Sequence, residues 1–439
     1  MTNVTEGMSS QIERDARSQH MDRGVKPSKI ALGVIIGRTS EFFDFFVFGL
    51  ASVLVFPRFL FPMDDALTGT LYSFAIFSLA FVARPIGSWL FMRIDRLYGR
   101  GAKLTSALFL LGFSTAAMAF LPGYDAVGFF AVWFLCVLRF LQGLALGGAW
   151  DGLASLLALN APPNKRGWYA MMAQLGAPIG LVLACALFAY IMWALPAEDF
   201  ITWGWRYPFF VAFAINVVAL FARLRLVTTA EFGSLLDRDE LKPSRIRDTL
   251  RSNGPTVVLG AFTPLASYAL FHLVTIFPIS WVVLYTNHSP VRFLLVLLLG
   301  AIISTVTILL SGVLADRIGR RPLLAVTAAL IGIGSFLAPF FFKGGIVNED
   351  GIVLAGFALL GLSFGQASGA LASNFSRVHR YTGAAVTSDW AWLIGAGFAP
   401  LVALGLCARF GLIAVGAYLL SGAICTLVAL YFNRQFHDD

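Results

Sequence analysis

From residue 29 to residue 432, apolar stretches of about 18 to 28 residues alternate with short polar connections, each long enough to cross a bilayer as a helix. The pattern predicts about twelve spans, at about 29–56, 66–92, 104–121, a fourth that places Arg139 ~17 Å from its outer end, then about 168–195, 207–223, 255–285, 290–314, 322–342, 351–375, 381–404 and 411–432. The short alternating segments of a β-barrel are absent. The fold class expected is therefore an all-α integral membrane bundle.

One stretch concentrates the chemistry. VLRFLQGLALGGAWDGLASLLALNAPPNKRGW (137–168) sets Arg139 and Asp151 in an otherwise apolar run, ~18 Å apart if helical. Gly143, Gly147, Gly148 and Gly152 form overlapping small-xxx-small faces where another helix approaches closely. An ionised group at mid-membrane costs roughly 2.5–3.5 kcal/mol, so both charges are expected to face protein or a water-filled cavity rather than lipid.

Composition agrees: 58% of the 439 residues are hydrophobic and 13% charged, with a mean hydropathy of +0.78. A net charge of +8 would suit nucleic acid, but its placement does not. With a cytoplasmic N-terminus, about 24 of the 32 Lys and Arg fall on the cytoplasmic side, about five outside, and Arg38, Arg84 and Arg139 within spans. That bias predicts both termini in the cytoplasm. Cys136, Cys185, Cys407 and Cys425 are scattered through apolar runs and read as packing residues. The first 28 or so residues are polar, with no cleavable signal pattern, and are expected to form a tail.

A repeat divides the chain. Asp95, Arg96, Gly99, Arg100 and Lys103 follow the second span; Asp316, Arg317, Gly319, Arg320 and Arg321 follow the eighth, about 221 residues later. Two six-helix halves are expected, at 29–224 and 255–432, joined by a charged cytoplasmic linker at 225–254, with cytoplasmic tails at 1–28 and 433–439. Pro178, between Gly176 and Gly180, predicts a kink in the fifth span. Trp203, Gly204, Trp205 and Arg206 read as an outer interfacial anchor.

Polar groups inside the spans are the candidate site residues. Arg38, Glu41 and Asp44 are three apart, so on a helix they lie on one side, drifting through about 120°. Gln142 accompanies Arg139; His272 lies in span seven, Gln366 and Asn374 in span ten, Asp389 in span eleven. Asp389 and Asp151 lie ~12 and ~15 Å in from the cytoplasmic ends of their helices, a shared depth. Glu41 and Arg139 both fall near mid-bilayer by the same rise.

EFFDF (41–45), ARPIG (83–87), the two Asp-Arg-Gly-Arg loops, LRFLQGLALGGAWDG (138–152), APPNKRGWYAMMAQLGAPIG (161–180), WGWRYPF (203–209), RLRL (223–226) and RYTG (380–383) together resemble the major facilitator superfamily, and within it the bacterial metabolite:proton symporters. The resemblance covers residues 30 to 432. It implies a two-domain bundle that exposes a central cavity to each side in turn, lined by spans 1, 4, 7 and 10. It also implies proton coupling between an acid in span one and an arginine in span four, here Asp44 and Arg139; Glu41, a second intramembrane carboxylate, is a further candidate proton carrier. The chain departs from the family in carrying Gly147-Gly148-Ala149-Trp150-Asp151-Gly152 where Gly-Gly-Glu-Trp-Gly-Gly is usual, Phe91 in place of a close-packing glycine, and an extra residue at Tyr98.

The expectation is secondary active transport by alternating access: proton-driven uptake of a small organic acid or zwitterion, as a monomer in a bacterial inner membrane. Arg38, Gln142, Trp150, Asp151, His272, Asn374 and Asp389 are candidate substrate contacts. Asp95, Arg96, Arg100, Asp316, Arg317 and Arg320 are candidate conformational gates, acting through salt bridges and helix ends. A proton-driven efflux antiporter of the same fold is the alternative; its Gly-Pro-x-x-Gly-Gly element is replaced by Gly-Ala-Pro-Ile-Gly (176–180). The five histidines are scattered and no HExxH pattern occurs, so neither a resident metal, a cofactor other than the proton gradient, nor an enzyme is expected.

Overall fold

A computed structural model describes residues 27–149, 157, 161–227, 243–342, 345–367, 375 and 378–433. Trp150, Asp151, Gly152 and Asn374, all singled out by the sequence, lie outside the described residues.

Among the described residues the apolar stretches form twelve helical spans. The first is Pro27–Leu54. Spans two and three run as one 54-residue element, Ala66–Ala119, broken at Gly99, where φ is +84°. The fourth is Phe130–Gly148 and the fifth Arg166–Ala194. The sixth is Arg206–Val227, joined at a 41° bend to Ala197–Gly204. Spans seven to twelve are Ile246–Tyr285, Pro290–Ile318, Arg320–Phe341, Ile346–Ala367, Arg380–Phe410 and Leu412–Phe432. Large apolar side chains such as Phe109, Phe113, Trp133, Val218, Phe221 and Leu295 point outward. On a soluble protein so much exposed apolar surface would be a liability, whereas lipid tails accept it.

Small residues set the spacing where lipid provides no hydrophobic drive between helices. A Cβ added at Gly143 or Gly147 would stand 2.4 Å from the Ala80 carbonyl oxygen or 2.2 Å from that of Arg84, so spans two and four touch backbone to backbone. The departure at Phe91 is absorbed in the same seam, its ring lying over Gly148. The two loop copies share one device: Gly319 has φ +86°, matching Gly99, and each begins a new helix one residue before an arginine. Only glycine takes that conformation without steric cost.

Several helices are interrupted. The Pro178 kink appears as a 3-10 turn, Met172–Leu175, because proline offers no N–H to a carbonyl four residues back. A charged helix begins at Ile246 and breaks at Asn253, so the apolar part of span seven starts close to the expected Pro255, and it breaks again at Thr263–Pro264 and at Ile276. Span eleven contains a π-helical turn, Leu393–Gly397. One expectation fails at the sixth span. Trp203 and Tyr207 are exposed as an interfacial pair, but Trp205 is 0% exposed, packed edge-on against Phe56, Phe59 and Phe209. Its neighbour Arg206 covers the indole and donates to the Ala119 carbonyl at 2.7 Å.

Candidate functional site

Asp44 is 1% exposed and turns into the first half, away from the partner half. Both its oxygens accept from the Thr115 hydroxyl at 2.9 Å, and one accepts from Gln142 Nε2, also at 2.9 Å. The Gln142 carbonyl oxygen accepts in turn from Arg139 Nη1. Asp44 and Arg139 are thus joined through Gln142 rather than as a direct ion pair. Gln142, expected as a substrate contact, here spends its amide on the bridge between the two. Arg139, 0% exposed, gives Nε to the Phe77 carbonyl at 3.2 Å and stacks its guanidinium 3.9 Å from the centre of the Phe48 ring. Among the described residues Arg139 Nη2 has no hydrogen-bond partner.

Arg38, Glu41 and Asp44 do not act as one triad. Arg38 pairs with Glu41 at 2.6 Å and lies over the Phe42 ring, on the face that borders the second half, while the helical drift carries Asp44 round to spans three and four. Arg38 and Glu41, with Phe42, Phe45, Phe81, Arg84 and Trp392, line a cavity of about 40 Å³ between the halves. Such a volume holds a few waters, not a metabolite.

The middle of the bundle is filled by rings. Phe42, Phe45, Phe46, Phe77 and Phe81 of the first half meet Tyr268, Phe271, His272, Phe364 and Trp392 of the second. This aromatic septum was not assigned from sequence, because phenylalanine is equally ordinary facing lipid; the signal available was YALFHL in span seven together with WAW in span eleven. His272, 0% exposed, sits among Phe45, Phe77, Phe81 and Phe271 with neither ring nitrogen hydrogen-bonded.

Asp389 is 4% exposed and faces span two. It accepts from Arg84 Nε at 2.8 Å and from the Ser88 hydroxyl, forming a cross-half ion pair between spans eleven and two. Sequence reasoning noted Arg84 only as a charge within a span. An unpaired cation and an unpaired acid in two spans of opposite halves were the signal for it.

Nearer the end of the bundle that carries Gly99 and Gly319, two further contacts bind the halves. Asp95 pairs with Arg100 at 3.1 Å and Lys103 at 3.8 Å. Arg100 stacks 4.5 Å from the centre of the Tyr381 ring, and Lys103 Nζ donates to the Tyr381 hydroxyl at 2.6 Å. In the second copy Asp316 accepts from the backbone N–H of Gly167 at 2.6 Å and of Trp168 at 3.1 Å, capping the fifth span, which favours an anion at its N-terminus. Arg96 donates to the Ser244 carbonyl, Arg317 is exposed and Arg320 is buried. Away from this end, Ile276 of span seven presses on Gly49 of span one. The halves therefore touch on both sides of the septum, an occluded arrangement.

Comparison with known proteins gives the family. Residues 34–388 match the Major Facilitator Superfamily. The chain is 36% identical over 417 residues to the inner membrane metabolite transport protein YhjE of Escherichia coli (strain K12), covering 93% of this chain and 94% of that one. It is 31% identical to the shikimate transporter of the same organism, with the same coverage of each. The crystal structure of a D-xylose-proton symporter shares the fold with a TM-score of 0.69 at 18% identity, over 93% of this chain and 97% of that one. Twelve spans with a repeated glycine-hinged loop, halves meeting over a blocked central pathway, and these full-length relatives lead to one conclusion: the chain belongs to the major facilitator superfamily and is a multi-pass membrane transporter of metabolites.

Proposed function

We propose that this protein takes up a small organic acid or zwitterionic metabolite together with protons, by alternating access across a bacterial inner membrane, as a monomer. The observation that carries the reading is the buried chain Asp44–Gln142–Arg139, which links an acid of span one to the arginine of span four. A carboxylate whose contact with a cation changes between two conformations binds its proton differently in each. Asp44 is the proton carrier in this scheme, and Glu41, paired with Arg38 beside the cavity, is the second. The likeness to a shikimate transporter and to a D-xylose-proton symporter supports a small polar substrate and proton coupling.

The end bearing Gly99 and Gly319 is assigned to the cytoplasm, with both termini and the linker at 225–254, from the excess of Lys and Arg there. Three contacts then form the cytoplasmic gate: Asp316 on the fifth span, Tyr381 on Arg100 and Lys103, and Asp389 on Arg84. Opening inward breaks all three.

The test is uptake of labelled carboxylates and betaines into energised vesicles with and without a pH gradient. Accumulation is expected to follow the gradient and to be lost in Asp44→Asn, while exchange of labelled for unlabelled substrate persists. Gradient-driven accumulation that survives Asp44→Asn sinks the coupling role, and outward movement against the proton gradient replaces uptake by efflux.

A further inference from the structure

One cavity, of about 420 Å³, lies away from the contact of the halves, whose own cavity holds about 40 Å³. Its size falls within the range of about 300–1,000 Å³ usual for ligand sites. It sits where spans two and four begin, beneath the loop that joins spans one and two and beside Tyr124 of the loop that joins spans three and four. The rim is firmly built. Phe56 and Leu60 are buried, and the Phe59 ring packs on Gly123, where an added Cβ would stand 3.1 Å from it. The chain then turns, the Asp64 N–H donating to the Phe61 carbonyl at 3.1 Å. Asp65 is spent as the cap of span two, its carboxylate accepting from the Thr68 N–H at 3.3 Å. That leaves Asp64 as the one charged side chain on the wall, among Phe61, Met63, Tyr72, Tyr124 and Phe129. Arg58, in the same loop, is exposed and forms no part of the wall. Among the described residues no ion pair engages Asp64.

Aromatic rings and a single carboxylate complement an ammonium group. The face of a ring attracts a cation within about 6 Å of its centre, and the carboxylate neutralises the charge. An anionic group would meet Asp64 as a like charge. Depth decides where the ammonium comes from. Tyr72 and Phe129 are both exposed and stand at the beginnings of membrane spans, the level at which aromatic side chains meet lipid headgroups. Trp133 lies one turn further in on the same face of span four as Phe129 and is exposed in its turn, so an apolar track leads from the mouth of the cavity toward the middle of the bilayer. Ile76 and Val132, both buried, floor the cavity with apolar surface. With the glycine-hinged end assigned to the cytoplasm, this rim meets the outer leaflet. We infer that the cavity binds the ammonium headgroup of a phospholipid, phosphatidylethanolamine, with Asp64 and the surrounding rings holding the ammonium and the acyl chains lying along spans two and four. The site is separate from the transport pathway and does not depend on what is carried.

The experiment places the full-length protein in phosphatidylglycerol nanodiscs with a trace of phosphatidylethanolamine that carries a diazirine near the head of one acyl chain, and maps the cross-links formed on illumination by mass spectrometry. Cross-links are expected within residues 72–76 and 129–133, at a yield at least about fivefold above that of phosphatidylglycerol carrying the same diazirine. In the double variant of Asp64→Asn and Tyr72→Leu the excess falls to near unity. Both side chains are exposed, and the cross-links of the unmutated protein are a readout that does not depend on the variant's folding. Equal yields for the two lipids, an excess unchanged in the double variant, or cross-links confined to other segments overturns the site. Loss of the cross-links in millimolar ethanolamine or glycine betaine overturns the lipid assignment in favour of a soluble ammonium compound.

Discussion

Gln142 decides how the buried acid and the buried arginine communicate. Replacing it by leucine removes the only described link between Asp44 and Arg139, so Gln142→Leu is expected to lower pH-gradient-driven accumulation by about tenfold or more, the scale of one charge-assisted hydrogen bond, with substrate exchange retained. Vesicle uptake with and without the gradient checks it. Arg84 and Asp389 give a second prediction. Breaking one partner of a buried pair strands the other charge at a cost of about 3–5 kcal/mol, whereas replacing both by apolar residues of similar size is close to neutral. Arg84→Met and Asp389→Leu are each expected to lower thermal stability in detergent, and the double variant to recover most of the loss; a double variant as unstable as the sum of the two singles contradicts the pairing. Much of this was legible in the chain: an acid in span one and an arginine in span four stand out against apolar surroundings. Their bridge did not, because a glutamine three residues from an arginine is unremarkable until the helix face is known. The pairing of Arg84 with a residue 305 positions away depends on how the halves dock, which local pattern does not contain.

At the scale of the element, the twelve spans followed from apolar run length alone, with most boundaries within a few residues. The interruptions were harder to read. Pro178 announced its kink, but the breaks of span seven and the π-helical turn of span eleven have no comparable local mark beyond Pro264 and Gly395–Gly397. Glycine spacing was the most reliable guide to packing. Gly147→Leu is expected to destabilise the bundle at the upper end of the ~1–3 kcal/mol range for overpacking, since its Cβ alone would lie 2.2 Å from a carbonyl oxygen. Gly334→Ala, at a helical position with no atom within 4 Å of the added Cβ, is expected to be neutral or to stabilise by up to about 1 kcal/mol. Thermal unfolding of the two variants in one detergent separates them. Similar losses would mean that backbone freedom rather than helix contact matters at both sites.

For the molecule as a whole, the duplicated loops hold the two halves by different chemistry. The first copy uses cations on the ring of Tyr381; the second uses one carboxylate on the free amides of the fifth span. Asp316→Ala removes the cap and is expected to shift the population toward an inward-open state, seen as faster labelling of single cysteines introduced along span five; Asp316→Glu is expected to retain part of the cap. Unchanged labelling would show that the other contacts hold the gate alone. The repeat itself was plain in the sequence, but which partner each copy grips was not, because Tyr381 and Gly167 carry no charge. The aromatic septum has one more consequence. The phenylalanine rings of that layer, Phe42, Phe45, Phe46, Phe77, Phe81, Phe271 and Phe364, neither donate nor accept a proton. Under the proposed proton coupling, such a layer is expected to act as an insulator that keeps the gradient from being short-circuited while the substrate is absent. Phe81→Asn, which brings a hydratable side chain into that layer, is expected to produce a substrate-independent proton leak, measured as faster acidification of empty proteoliposomes.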